Sequence, residues 1–231
     1  MLPWLLLAAL CCADPEAASQ AEVAAADFQP LFPEDGQPRG WTVREWSDVA
    51  RAVDDSPWTV AQGVLTSGDK RGTWLLSDEE FGDFILEYEF KLTEYGNSGV
   101  ALRSPAAGDP AFDGLELQMA DFRYNTQAKD SELTGGVYRA IAPTKQVYRP
   151  TEWNSCRIEL RGSQLRVTMN GELIQDVDLS TFDQPVLRHD GTEAAPIKDR
   201  PAKGRLGFQH LSRNNEPVQI RNARIQRLDK R

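Results

Sequence analysis

Three polar side chains in the run Gly114-Leu115-Glu116-Leu117-Gln118-Met119-Ala120-Asp121 could do chemistry together. In an extended strand Leu115, Leu117 and Met119 share one face, while Glu116 and Gln118 share the other, about 7 Å apart along it. Asp121 is out of phase, but a bulge after Met119 would return it to the polar side. Such a face either lines a groove for a hydroxyl-rich ligand or is the solvated side of an amphipathic strand. The strand alone leaves both readings open.

Other polar residues could converge on the same place. Asn97-Ser98-Gly99 opens a strand on which Arg103 shares parity with Asn97, so an amide and a guanidinium could point one way. Gly135-Gly136-Val137-Tyr138 brings a phenol after a glycine pair that permits close backbone approach. Trp153 is either core or a sugar platform. Gln209 and His210 close a strand, and His210 shares parity with Leu206 and Phe208, so a buried structural histidine competes with a functional one. His189 and His210 are the only histidines, and neither HxxxH nor paired-Cys spacing occurs. A divalent cation held by Glu116, Asp121 and carbonyls would leave no spacing signature, so a metal stays open. His189-Asp190-Gly191 reads as a turn in the long connection that carries Pro185, Pro196 and Pro201, and a loop of that length often rims a site.

The elements that must position these residues are strands. From Asp83 to Leu92, Phe84, Leu86, Tyr88, Phe90 and Leu92 alternate with acidic and basic residues. Leu165, Val167 and Met169 alternate likewise and run into Asn170-Gly171, a pair suited to a type I′ hairpin turn, with Leu173 to Leu179 returning. Trp153 to Leu160, Gly204 to His210 and Val218 to Leu228 are further strands. No long amphipathic helix and no repeat is visible. The pattern predicts an all-β sandwich or jelly roll.

Composition bounds the partners. The 231 residues are 40% hydrophobic and carry a formal charge of −9, which argues against nucleic acid or an anionic membrane surface and leaves neutral sugars open. Trp4 to Ala13 is apolar, bounded by Pro3 and Asp14-Pro15-Glu16, and too short to span a bilayer. It reads as an export signal over residues 1–13, without the usual Lys or Arg before the apolar run. Cys11-Cys12 suggests a lipoprotein-type signal, with an N-terminal lipid as the tether. Residues 14–30 read as an Ala- and acid-rich linker and residues 31–229 as the folded domain, in a periplasmic or extracellular protein. Only Cys156 lies in that body, so no intrachain disulfide forms there. Its alternation with Ile158 and Leu160 marks it as a buried apolar residue.

Several of these motifs occur together in one order: Asn97-Ser98-Gly99-Val100 with Leu102-Arg103, Gly114-Leu-Glu-Leu-Gln with Asp121, Thr134-Gly-Gly-Val-Tyr138 and Glu152-Trp153-Asn154. Asn170-Gly171, Arg200-Pro201-Ala-Lys-Gly204, Leu206-Gly-Phe-Gln209 with His210, and Ile220-Arg221-Asn222 with Ile225 follow. The series resembles domain of unknown function 1080, also called the 3-keto-disaccharide hydrolase domain, over roughly Leu31 to Leu228. One departure is that His210 follows Gln209 directly, where the family usually has Gln-x-His-Gly.

The resemblance implies a concanavalin A-like jelly-roll β-sandwich of two antiparallel sheets, acting outside the cytoplasm on 3-keto-glycosides. A C3 ketone acidifies the C2 hydrogen, so a base can remove it and expel the C1 substituent; water then adds to the enol ether, giving net hydrolysis. The implied roles are Glu116 or His210 as base, and Arg103 or a divalent metal at the enolate. Tyr138 and Asp121 would assist the leaving oxygen; Asn97, Gln118, Gln209 and Trp153 would hold the sugar. The spacing also echoes laminarinase-type glycosidases, whose Glu-x-Asp-x-x-Glu series sets two carboxylates about 5.5 Å apart. Here Gln118 replaces the middle acid and Asp121 shortens the last, which disfavours an endo-β-glucanase. A non-catalytic, lectin-like carbohydrate-binding module is the alternative from another class.

Overall fold

The computed structural model describes residues 28–228. The chain opens with the short strands β1 (Gln29–Pro30), β2 (Trp41–Glu45), β3 (Thr59–Ala61) and β4 (Val64–Thr66). Longer strands β5 (Thr73–Phe81), β6 (Phe84–Lys91) and β7 (Asn97–Ser104) follow, then one helical turn, α1 (Pro110–Asp113), and β8 (Leu115–Ala120). After a long connection come β9 (Asn154–Arg161), β10 (Gln164–Met169) and β11 (Glu172–Asp178), and then a small hairpin, β12 (Val186–Leu187) and β13 (Glu193–Ala194). The last strands are β14 (Gly204–His210) and β15 (Gln219–Arg227).

Apart from the β12–β13 hairpin, these strands form two antiparallel sheets packed face to face. One runs β11-β10-β9-β6-β15-β4-β3 with β1 added on β15, and the other runs β2-β5-β14-β7-β8. The alternation read in β6 is what drives their closure: Phe84, Leu86, Tyr88 and Phe90 all point into the core. They meet Val100 and Leu102 of β7, Leu117 and Met119 of β8, and Phe208 of β14. Each such side chain contributes about 1.5–3 kcal/mol on burial. With Cys156 a free, buried thiol, packing alone closes the sandwich. Burial pushes that thiol's pKa up to about 12, which leaves it unreactive.

The Asn170-Gly171 turn has positive φ at both residues, 51° and 83°, as a type I′ turn between β10 and β11 requires. The folded body starts earlier than position 31. Gln29 and Pro30 pair with Ile225 and Arg224, and the Phe28 ring faces the Arg224 guanidinium at 4.8 Å. Two paired residues are too few to show an alternating pattern, so they read as linker in the sequence. The expected export signal, its lipid and most of the linker lie in residues 1–27, outside the described residues. Among the described residues no helix is long and apolar enough to cross a membrane.

Candidate functional site

The site is built on the face of the five-stranded sheet that turns away from the core. In the β7–β8 register Asn97 lies opposite Ala120, Gly99 opposite Gln118, and Ala101 opposite Glu116. On the other side of β7, Gly207 of β14 faces Ala101, which puts Gln209 on the same surface, and Gln209 in turn faces Trp74 of β5. Directly opposed residues share a face, so Asn97, Glu116, Gln118 and Gln209 form one polar floor. Glu116 and Gln118 are only 3% and 4% exposed, so this is a lined pocket and not a solvated strand. Gly99 makes the floor possible, because a Cβ there would collide with Glu116 Oε1.

Two segments raise walls around that floor. Residues 134–138 add to the open edge of β8: Gly135 N–H donates to Gln118 O, Gln118 N–H to Gly136 O, and Tyr138 N–H to Glu116 O, each at 2.9 Å. The close path needs glycine at 136, where a Cβ would sit 2.6 Å from Ser131 O. The second wall is the β12–β13 hairpin. Its Arg188 guanidinium donates to both oxygens of Asp113 in α1, at 3.2 and 2.5 Å. That clamp sets His189, at the hairpin tip, among the rings of Phe112 (5.3 Å), Tyr138 (5.8 Å) and Trp46 (6.1 Å). Arg139 ties the walls together, donating to Glu132 at 2.8 Å and to Leu187 O at 3.2 Å. The enclosed pocket measures about 220 Å³.

A larger groove of about 760 Å³ lies on the outer face of the eight-stranded sheet. Its charges are paired with one another, Arg221 with Glu89 and Arg224 with Glu87. The smaller pocket gathers two buried polar atoms without partners on one floor, Glu116 Oε1 and Asn97 Oδ1, where the larger groove is lined by one such residue, Tyr88. Such atoms are costly unless a ligand or water meets them, so the smaller pocket is the candidate site.

Burial, and then the neighbouring Asp109 charge, push the Glu116 carboxyl well above the carboxylate range. Asp109 also lines the pocket and caps α1 by accepting from Ala111 N–H at 3.0 Å. Burial raises its pKa to about 7, against the pull of that hydrogen bond. Burial therefore favours the protonated, neutral form of Glu116. His189 moves the other way: burial, helped by the Arg139 charge, lowers it below the ordinary imidazole value, so it is a neutral base. Burial followed by the Glu116 charge raises the Tyr138 phenol, which stays protonated.

Six of the residues expected from sequence meet here: Asn97, Glu116, Gln118, Asp121, Tyr138 and Gln209 all line the pocket. Asp121, however, is already committed. It accepts from Arg123 Nε at 2.7 Å and Nη2 at 2.8 Å, and from Tyr148 Oη at 3.4 Å. Burial raises its pKa, but the Arg123 hydrogen bonds and charge outweigh that, and the net shift is downward. An ionised, clamped carboxylate does not donate a proton to a leaving oxygen. Nor do its oxygens stand free for the cation that the sequence left open at Glu116 and Asp121. Among the described residues no group of three His, Cys, Asp or Glu side chains converges on a metal-sized site.

Three expected residues lie elsewhere. Arg103 has a φ of 54°, at a register shift in the β7–β14 pairing, and this turns its side chain off the floor. Its guanidinium instead donates to Gly82 O, Gly162 O and Asp83 at 2.8–2.9 Å. His210 follows its parity with Phe208 into the other face of β14, fully buried, with Nε2 3.2 Å from Glu216 O. Trp153 is half-buried far along the chain from the floor strands and stacks under the Arg221 guanidinium at 4.1 Å. It lines no part of the pocket. The sequence reading missed Trp46, Asp109, Tyr124, Arg139 and the role of His189. The one available signal was the length of the loop carrying His189.

Two antiparallel sheets with a polar pocket on the outward face of the smaller sheet define a concanavalin A-like jelly roll. Residues 27–226 match the family described as the 3-keto-alpha-glucoside-1,2-lyase-like domain, and the chain belongs to that family. Two solved structures from Parabacteroides distasonis, each described as a "putative glycosyl hydrolase", are similar. One is 26% identical with a TM-score of 0.72, over 90% of this chain and 97% of its own. The other is 24% identical with a TM-score of 0.71, over 87% and 99%. The laminarinase from Rhodothermus marinus shares the fold at a TM-score of 0.52 and 11% identity, over 88% and 96%. A comparison with curated proteins finds no significant match.

Proposed function

We propose that the protein cleaves 3-keto-glycosides by removing the C2 proton, expelling the C1 oxygen and adding water to the product. The observation that carries this reading is a neutral acid, Glu116, and a neutral base, His189, lining one small pocket. Elimination beside a ketone needs that pair. His189 takes the C2 proton, the electrons of the C2–H bond form C1=C2, and the C1–O bond breaks. Glu116 gives its proton to the departing oxygen. The Tyr138 phenol and the Arg139 guanidinium, on the same wall, hydrogen-bond the oxygen that carries enolate charge. Water then adds its oxygen to C1 and a proton to C2. Asn97, Gln118 and Gln209 hold hydroxyls, and Asn97 Oδ1 is unpartnered, as a hydroxyl acceptor needs. The match to the 3-keto-glucoside lyase-like family supports the same substrate class. The apolar run Trp4 to Ala13 supports export, which fractionation of expressing cells tests.

The test is turnover of a 3-keto-glucoside and of its unoxidised parent in deuterated water. Aglycone release from the keto substrate alone, with deuterium at C2 of the sugar, is the expected result. Release from both substrates without C2 deuterium would replace the mechanism with ordinary glycoside hydrolysis. Saturable binding of the parent with no release would make the protein a binding module.

A further inference from the structure

We propose that Phe122 and Tyr124 form a platform at the pocket mouth on which the ring of the leaving group stacks. The inference rests on the reading of the pocket as a sugar site. At about 220 Å³ the pocket is smaller than the roughly 300–1,000 Å³ that encloses a drug-sized ligand, so it takes one sugar ring and leaves the C1 substituent outside. The turn that follows β8 borders the pocket. Asp121 and Tyr124 both line the pocket, and Phe122 lies between them in the chain.

Hydrogen bonds tie that turn together, and an arginine lies against each of its aromatic rings. Arg123 N–H and Nε both donate to Asp121 Oδ1, Tyr124 N–H donates to Asp121 O, and Arg123 Nη1 reaches Glu94 at 2.8 Å. The guanidinium so fixed lies 5.4 Å from the centre of the Phe122 ring, which is nonetheless 52% exposed. Tyr124 is treated alike: its hydroxyl accepts from Arg71 at 2.8 Å, and the Arg213 guanidinium lies 5.0 Å from its ring. An arginine behind each ring fixes its orientation and leaves contact area for a partner. The neighbouring loop adds Tyr95, 44% exposed and held at a φ of 60°, where a bulky residue is uncommon. A hydrogen bond from Asp121 N–H to Gly96 O joins the two loops. The exposed ring of Phe122 and the half-buried ring of Tyr124, beside a sugar-sized pocket, match a leaving group that is itself a ring with an apolar face. A second pyranose and an aryl group both have one.

The experiment compares wild type with Phe122→Ala on three 3-keto-glucosides, carrying a methyl group, a second glucose or a nitrophenyl group. Loss of one stacked ring predicts a KM raised about 5–20-fold for the ring-bearing substrates, with the methyl glucoside unaffected. The glucosyl and nitrophenyl arms tell which ring the platform prefers. An equal effect on all three, or none on any, overturns the proposal. If wild type cleaves none of them, the cleavage reading fails separately, and calorimetry with the unoxidised parents decides the platform. Tighter binding of the ring-bearing parents that Phe122→Ala abolishes supports it, and equal binding of all three overturns it. A wild-type dimer by light scattering that Phe122→Ala dissociates would give this surface to a second copy and also overturn it.

Discussion

The carboxyl of Glu116 lies in the space that a side chain at position 99 would occupy, so the glycine on β7 and the acid on β8 form one unit. Gly99→Ala should displace Glu116 and overpack the floor, at a cost of about 1–3 kcal/mol. Urea titration gives the stability, and turnover of a 3-keto-glucoside should fall well beyond what the lost folded fraction explains. Unchanged turnover would mean that the position of Glu116 is not critical.

The two histidines should behave oppositely. His189→Gln removes the base and should lower kcat/KM by about 10²–10⁴-fold. His210→Gln should leave kcat/KM unchanged and cost about 1–3 kcal/mol of stability, because its ring is buried on the core face of β14. Since His189 sits below the usual imidazole pKa, the acid limb of kcat/KM should fall below pH 6.5 and vanish in His189→Gln. A pH–rate profile of both variants checks this.

Stability should carry a declining component from about pH 4 to about pH 7, opposed by the lowered pKa values of His189 and His210, which favour the folded chain as pH rises. Asp109 ionises near 3.8 unfolded but near 7 folded, so across that window the unfolded chain binds fewer protons and gains on the folded one. The raised pKa corresponds to at most on the order of 4 kcal/mol, fully present below the lower pKa and lost by the upper one. Glu116 adds to the slope in the same direction. Asp109→Asn keeps a capping oxygen for Ala111 N–H and should flatten the decline, which urea midpoints at several pH values would measure.

Arg103 is a structural tie. Arg103→Met strips the partners from two backbone carbonyls and Asp83, and should cost about 2–4 kcal/mol. Steady-state kinetics of the folded fraction should match wild type. A selective loss of kcat would return Arg103 to the chemistry.

The strand framework was legible in the sequence wherever both faces of a strand differ. β6, β10 and β14 lie within about two residues of the alternating segments, and the Asn170-Gly171 turn has the backbone its residues demand. The floor of the site was legible for the same reason, since Glu116 and Gln118 share a parity that strand geometry obeys. His210 was only half legible: its parity with Phe208 left a buried structural histidine open beside a catalytic one, and the ring is buried.

Parity failed where the backbone leaves the regular strand. At Arg103 a positive φ turns the side chain away from the face that counting assigns. The walls were hidden for a different reason. His189 meets Trp46, Phe112 and Tyr138 through loops far apart in the chain, and Arg188 with Asp113 sets that approach across 75 positions. Charge state was hidden as well, because burial raises both Glu116 and Asp109, with the Asp109 charge adding to Glu116 and the Asp113 and Glu45 charges adding to Asp109. Local residue order determined the strands, their faces and the floor. Only tertiary packing decided which loops close over the floor and which groups carry protons, because enclosure and desolvation arise from contacts between distant segments.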